Sequence, residues 1–304
     1  MSSKRKYILA GGSGFLGQEL AKALVERGDE VVVLTRFPDK YRGQGRAVYW
    51  DGETADREWV REVDGATAVV NLAGKNVNCA PTKANRREIV ESRVNSVKAL
   101  GDAFRLAQNP PKTWIQTSSL AIYGDAGDKL CDELAMPAEA FPADVCVAWE
   151  EALGHGVLSN TRWAALRIGF VLGKGGALPF LTKLVKWGLG GSIGNGRQWI
   201  SWLHIDDMIA LFLAALDDES YHGVYNATND SPVTNKELMA TLRRVLKRPW
   251  SPPSPALAVT LGAPVLGSDP RVALTGRRCV SRRLAEHYFT FKYPNLDVAL
   301  QTLL

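Results

Sequence analysis

The chain has 304 residues, 46% hydrophobic and 23% charged, and a formal net charge of +5. A polypeptide of this length and composition can bury one large core or two modest ones, which argues against a disordered protein. No apolar run of about 18 residues occurs and the N-terminus lacks a signal-peptide stretch, so no membrane partner is expected and a cytoplasmic location follows. Cys79, Cys131, Cys146 and Cys279 are scattered, form no C-x-x-C pair and stand beside only four histidines, so free thiols are expected, with no metal site and no disulfide framework. The basic excess suits a phosphate-bearing cofactor as well as nucleic acid. The pairs Arg277-Arg278 and Arg282-Arg283 read more simply as solvated helix faces, and no nucleic-acid partner is expected.

The first element is a strand over 6–11 that runs into a glycine-rich turn and a helix over 18–27. Gly12, Gly14 and Gly17 make G-x-G-x-x-G, and Gly11, Gly14 and Gly17 make G-x-x-G-x-x-G. Glycines there permit a tight turn and close backbone approach to a pyrophosphate, and the helix offers unpaired N–H groups and its positive dipole end. Gly11, Gly12, Ser13, Gly14, Phe15, Leu16 and Gly17 are therefore assigned to a dinucleotide. Further strands are read at 30–35, 46–50, 67–73, 112–118 and 162–171. Their alternation with helix-like segments predicts a Rossmann-type doubly wound parallel sheet, an α/β fold.

A long helix over 84–107 carries Ile89, Val90, Val94, Val97, Leu100 and Phe104 on one stripe, which is either core or a dimer seam. A second helix starts near Pro142 and runs to about Leu153. After Gly173 the pattern loosens into glycine-punctuated loops expected over the carboxyl ends of the strands, where ligands bind in such folds. A proline-rich break from Pro249 to Pro255 precedes apolar helices at 255–266 and 295–304. The expected division is a dinucleotide-binding domain over 1–174, a substrate-side region interleaved with it over 175–248, and a small C-terminal segment over 249–304.

The second strand ends Leu34-Thr35-Arg36-Phe37, where an NAD site usually carries an acidic residue. A guanidinium presents a planar fork of donors that matches a 2′-phosphate, so Thr35 and Arg36 point to NADP, the alternative for Arg36 being a solvated start to a loop. Asn71-Leu72-Ala73-Gly74 ends the fourth strand with small residues that let a dinucleotide lie against backbone, which assigns Leu72, Ala73 and Gly74 to the cofactor.

With these motifs, Thr117-Ser118-Ser119-Leu120-Ala121-Ile122-Tyr123-Gly124 and Trp202-Leu203-His204-Ile205-Asp206-Asp207 in order, the chain resembles the extended short-chain dehydrogenase/reductases along its whole length. Ser92-Arg93-Val94, Trp149-Glu150 and the segment from about 250, with its Tyr288-Phe289-Thr290-Phe291-Lys292-Tyr293-Pro294, narrow the resemblance. They make it similar to the atypical epimerase-like subfamily, often labelled nucleoside-diphosphate-sugar epimerases. The resemblance implies a Tyr-x-x-x-Lys pair in the second helix, but Cys146 and Glu150 stand at the matching positions. They share a helical face, as the geometry needs. A carboxylate beside a thiol raises the thiol pKa, so Cys146 is a poor replacement base, while Glu150 retains the ability to accept hydrogen bonds from ribose hydroxyls.

Ser119 matches the position of the family's catalytic Ser/Thr and is expected to bond a substrate oxygen, with a local backbone partner as the competing role. Ser118 and Phe170 are expected nearer the cofactor, and the proton relay is expected to run through Cys146, Tyr123 or bound water. Asp206 or Asp207 is expected to cap the following helix, with His204 structural. Arg197, Gln198, Trp199 and Ser201 are assigned to the substrate, against core packing for Trp199. The expected function is that of an NADP-binding oxidoreductase or epimerase-like enzyme acting on a hydroxyl- or carbonyl-bearing small molecule. The alternative is a non-catalytic NADP-dependent binding or regulatory protein. Monomer and homodimer are both open.

Overall fold

A computed structural model describes residues 4–55, 57–265 and 269–304. Seven parallel strands form the central sheet, in the spatial order Gly223–Ala227, Arg162–Ile168, Thr113–Ser119, Ala68–Asn71, Lys6–Ala10, Glu30–Thr35, Arg46–Tyr49. Strands such as Ala68–Asn71 and Val31–Thr35 are buried throughout, as required where helices cover both faces. One face packs Tyr7, Leu9, Leu20, Leu24, Val31 and Val33 against the helices Phe15–Glu26 and Ile205–Asp217. The other packs Ile8, Val32, Leu34, Leu100, Phe104 and Trp114 beneath Arg57–Val63, Lys83–Leu106 and Phe141–Gly156.

The stripe on the long helix is core: Ile89, Val97, Leu100 and Phe104 are buried, and Val90 and Val94 half-buried. This helix lies close against Phe141–Gly156 because both are glycine where they meet. A Cβ on Gly101 would stand 2.9 Å from the Gly156 carbonyl oxygen.

The strand expected over 162–171 is broken at Gly169 and shared between two ladders. Its second part, Phe170–Leu172, leaves the sheet to pair with Trp202–His204. The Phe170 N–H donates to the Ser201 carbonyl at 2.8 Å, and a side chain at Gly169 would stand 2.5 Å from that oxygen. The part that stays in the sheet is flanked by Gly223–Ala227, an edge strand the sequence reading did not identify because five residues between two helices carry little periodicity.

The C-terminal stretch is packed onto this frame. Arg278–Cys279 pairs in parallel with Leu130–Cys131, and Leu296–Leu303 sets Leu296, Ala299 and Leu300 against Leu238, Met239 and Leu242. Residue 266, the end of the helix expected at 255–266, lies outside the described residues. Among the described residues no helix is long and apolar enough to cross a membrane.

Candidate dinucleotide site and adjoining cavity

The strand order reverses between Lys6–Ala10 and Ala68–Asn71, and the crevice at the carboxyl ends of these strands is where such sheets bind ligands. The glycine turn sits there. Gly11 has φ +71°, and a Cβ on it would meet the Ala73 Cα at 2.7 Å. Gly17 presses against Gly12, whose Cα would lie 2.4 Å from an added Cβ, so the helix approaches the turn more closely than any other residue allows. Around Gly14, by contrast, a Cβ would find no atom of the described residues nearer than 4.0 Å. Gly14 is also the N-cap of Phe15–Glu26 and supplies no side-chain cap, leaving the first-turn N–H groups for an anion.

The turn lies between two cavities. The first, about 630 Å³, is lined by Ser13, Thr35, Arg36, Leu72, Ala73 and Gly74 among others. Thr35 Oγ1 lies 3.2 Å from Ser13 Oγ, tying the end of the second strand to the glycine turn. Arg36 is exposed on the rim, with its guanidinium carbon 5.9 Å from the Phe37 ring centre. The bend at Leu72–Gly74 is held from below: buried Asn71 accepts the Ala73 N–H at 3.1 Å and donates to Gln116 and Ser96. Ser92 and Arg93 act on the next residue. Ser92 Oγ accepts the Lys75 N–H at 2.9 Å, and Arg93 donates to the Lys75 carbonyl at 3.1 Å while lying 4.9 Å over Trp149.

The second cavity, about 540 Å³, is lined by Gly14, Phe15, Leu16, Ser118, Ser119 and Cys146 among others. Ser119 Oγ caps the turn that follows by accepting the Ala121 N–H at 3.1 Å, so its hydroxyl proton is available to a ligand. Cys146 is buried, and burial first, with the Glu150 carboxylate next, pushes its thiol up to about 12. Above pH 9.0 the unfolded chain releases this proton while the folded protein retains it, so stability falls as pH rises from 9.0 towards about 12. Urea titrations at pH 7.5 and 10.5 are expected to show a smaller alkaline loss for Cys146→Ala than for the parent chain; an equal loss would contradict the assignment.

Glu150 does not line either cavity. Its Oε1 accepts from Ser118 Oγ at 2.6 Å and from Arg167 Nε at 2.9 Å, and its Oε2 from the second arm of the same guanidinium at 2.7 Å. The carboxylate expected to hold ribose hydroxyls is thus engaged by a bidentate cation that sequence reasoning missed. Arg167 appears in sequence only as a polar residue inside an apolar strand, and that was the available signal. Burial works against its charge, and Glu150 more than offsets this, holding its pKa above the ordinary value. Arg167 also donates to the Tyr123 hydroxyl at 2.8 Å, which in turn donates to Asn226 Oδ1 at 2.8 Å. Burial pushes the Tyr123 phenol up to about 12 against the pull of Arg167, and its ring does not line the cavity.

The four residues assigned to substrate lie elsewhere. Arg197 and Trp199 both reach Asp128, at 3.4 and 2.7 Å. The Gln198 amide donates to the Ala273 carbonyl at 2.9 Å, and Ser201 Oγ donates to the Arg277 carbonyl at 2.9 Å. Gln198 and Ser201 hold the C-terminal stretch in place, and it is that stretch, through Arg271, Val272, Thr275 and Arg277, that lines the cavity. Phe170 packs with Leu172 and Trp202 away from both cavities. The cap of Ile205–Asp217 is also corrected. His204 Nδ1 accepts the Asp206 N–H at 3.0 Å, whereas Asp207 is buried and accepts from the backbone of Lys292 and Tyr293. His204 stacks on Tyr293 with ring centres 3.9 Å apart, a structural position.

A parallel sheet with a glycine turn at its switch point and two flanking cavities defines a Rossmann-type NAD(P)-binding protein. More particularly, the chain belongs to the NAD dependent epimerase/dehydratase family, which matches residues 7–228, and residues 254–303 match a domain of unknown function, DUF1731. It is 32% identical to the epimerase family protein SSP1921 of Staphylococcus saprophyticus over 98% of this chain and 99% of that one. The crystal structure of human epimerase family protein SDR39U1 (isoform2) with NADPH is similar at a TM-score of 0.87 and 29% identity, with 98% of each chain covered. The enzyme WbmH from Bordetella bronchiseptica in complex with NAD+ shares the fold at a TM-score of 0.72 and 17% identity, over 98% of this chain and 96% of that one.

Proposed function

We propose that the protein is an NADP(H)-dependent oxidoreductase or epimerase-like enzyme acting on a hydroxyl- or carbonyl-bearing small molecule. The observation that carries the reading is Arg36 on the rim of the 630 Å³ cavity, with no carboxylate within 4.0 Å among the described residues. The likeness to a human relative crystallised with NADPH supports it. The glycine turn would hold the pyrophosphate, Thr35 and Arg36 the phosphorylated ribose, and Ser118 and Ser119 would lie on the nicotinamide side. The bound dinucleotide supplies hydride donation or acceptance at a substrate carbon.

Ser119 donates its hydroxyl hydrogen bond to the substrate oxygen and so polarises the reacting bond. The chain carries Cys146 and Glu150 in place of a Tyr–Lys pair, and both Cys146 and Tyr123 hold their protons to about pH 12. The proton that accompanies hydride transfer is therefore exchanged with water at the open side of the cavity. The test is the cofactor preference of Arg36→Ala. Removing one charge-assisted contact is expected to weaken NADPH by about 10- to 100-fold with little effect on NADH. Titration by quenching of tryptophan fluorescence reads both, and an unchanged NADPH:NADH ratio would refute the assignment.

The engagement of Glu150 by Arg167 favours a second reading, a non-catalytic NADP-binding protein. Single-turnover oxidation of bound NADPH with a panel of carbonyl compounds separates the two, because tight binding with no oxidation belongs to the second alone.

A further inference from the structure

Three residues that line the 540 Å³ cavity each carry a buried donor with no hydrogen-bond partner among the described residues: Arg86 at Nε, Arg277 at Nε and Trp149 at its indole Nε1. They arrive from separate parts of the chain, the helix Lys83–Leu106, the C-terminal stretch and the helix Phe141–Gly156. Arg271, which lines the same cavity, is satisfied by Asp269 at 2.6 Å. Among the described residues no carboxylate lies within 4.0 Å of Arg86 or Arg277, and neither side chain donates a hydrogen bond. Arg86 instead lies 5.1 Å over the Phe141 ring.

Buried donors without acceptors are rare in folded proteins, and an unmatched guanidinium is the costliest kind, so such groups mark the place of an absent partner. Guanidinium and indole groups only donate, so the partner must bring acceptors. Asp269 acts on Arg86 and Asp125 on Arg277 only from beyond contact distance, so neither charge has a counter-ion in contact, which favours a negative partner. Around them the wall is apolar, with Val77, Pro81, Ile89, Phe141, Val145 and Val272. A neutral sugar would offer the guanidinium groups acceptors but no compensating charge, and would set part of its polar surface against this hydrocarbon.

We propose that this cavity takes a small molecule with an apolar body and an oxyanion head, a carboxylate or a phosphate monoester, gripped by Arg277 and Arg86. The assignment rests on reading the cavity as the substrate side of the NADP(H) site. It names a substrate class recognised by residues of the C-terminal stretch and the long helix together.

The test is calorimetric titration of the NADPH-loaded full chain with 3-phenylpropanoate, phenyl phosphate and neutral 3-phenylpropanamide. At least one anion is expected to bind about tenfold or more tighter than the amide, and the better anion identifies the head. Arg277→Met is expected to abolish that preference while leaving NADPH affinity within about twofold. Arg86→Met, which removes the second guanidinium, provides the same readout if Arg277→Met does not fold. Equal binding of the amide and both anions, or of none, overturns the proposal. So does a loss of NADPH affinity in both arginine variants, which would assign the guanidinium groups to the cofactor's phosphates. A parent chain that binds no NADPH refutes the cofactor reading instead, and anion preference measured on that cofactor-free chain still decides the role of the arginines.

Discussion

Arg167→Met is expected to destabilise the protein by about 3–5 kcal/mol, because it leaves the Glu150 carboxylate inside the fold without its cation. The two side chains are only 10% and 17% exposed, so water cannot take over the lost contacts. The bidentate geometry adds two charge-assisted hydrogen bonds to the Coulomb attraction. Arg167 also holds the Tyr123 hydroxyl, which bonds Asn226 on the edge strand. Asn226 in turn donates to the Val280 carbonyl and to Glu133, and Glu133 receives Ser281 and the Arg282 N–H. One buried polar chain thus runs from Ser118 at the cavity to the C-terminal stretch. Urea unfolding monitored by far-UV circular dichroism measures the loss. The double variant Glu150→Gln with Arg167→Met should recover part of it, since no orphaned charge remains. A single variant within about 1 kcal/mol of the parent would show that the pair contributes little, as exposed pairs do.

Gly17→Ala is expected to cost about 1–3 kcal/mol of stability and on the order of 100-fold in NADPH affinity. The added methyl would stand 2.4 Å from both Cα and carbonyl oxygen of Gly12. These are backbone atoms of the turn, so the strain can be relieved only by moving the helix away from the strand end. That movement displaces the first-turn N–H groups that a pyrophosphate needs. Differential scanning fluorimetry with and without NADPH reads both effects, as the Tm of the unliganded chain and the increment on saturation. Gly14→Ala is the internal control, because the space beside Gly14 is open towards the ligand. It should leave the unliganded Tm nearly unchanged while reducing the increment. An undiminished increment in Gly17→Ala would mean that the turn does not hold the dinucleotide.

The glycine turn and the Leu72–Gly74 bend, which we propose hold the dinucleotide, were legible in the chain because each is made by neighbours in sequence. The turn over 11–17 needs only a strand, a helix and three glycines, and the bend over 72–74 needs only small residues after a strand. The long helix was legible for a similar reason, since a stripe at helical spacing is a property of one segment. The substrate side was not. Arg197, Gln198, Trp199 and Ser201 carried the residue types of a binding site, yet they hold the protein's own Asp128 and the backbone of residues 273–277. Their polar groups are engaged within the protein, away from the cavity at Gly14. The engagement of Glu150 was equally hidden, because its cation lies 17 residues later on the next strand of the sheet.

Local order, then, decided the parallel α/β sheet, the glycine turn and the placement of Arg36, since hydrogen bonding and side-chain periodicity act over a few residues. Only folding decided that Arg167 would claim Glu150, that Gly223–Ala227 would close the sheet edge, and that Arg277 would enter a cavity begun at Gly14. Each of these joins groups far apart along the chain, and which charges and donors remain unmatched is fixed only when all possible partners are in place.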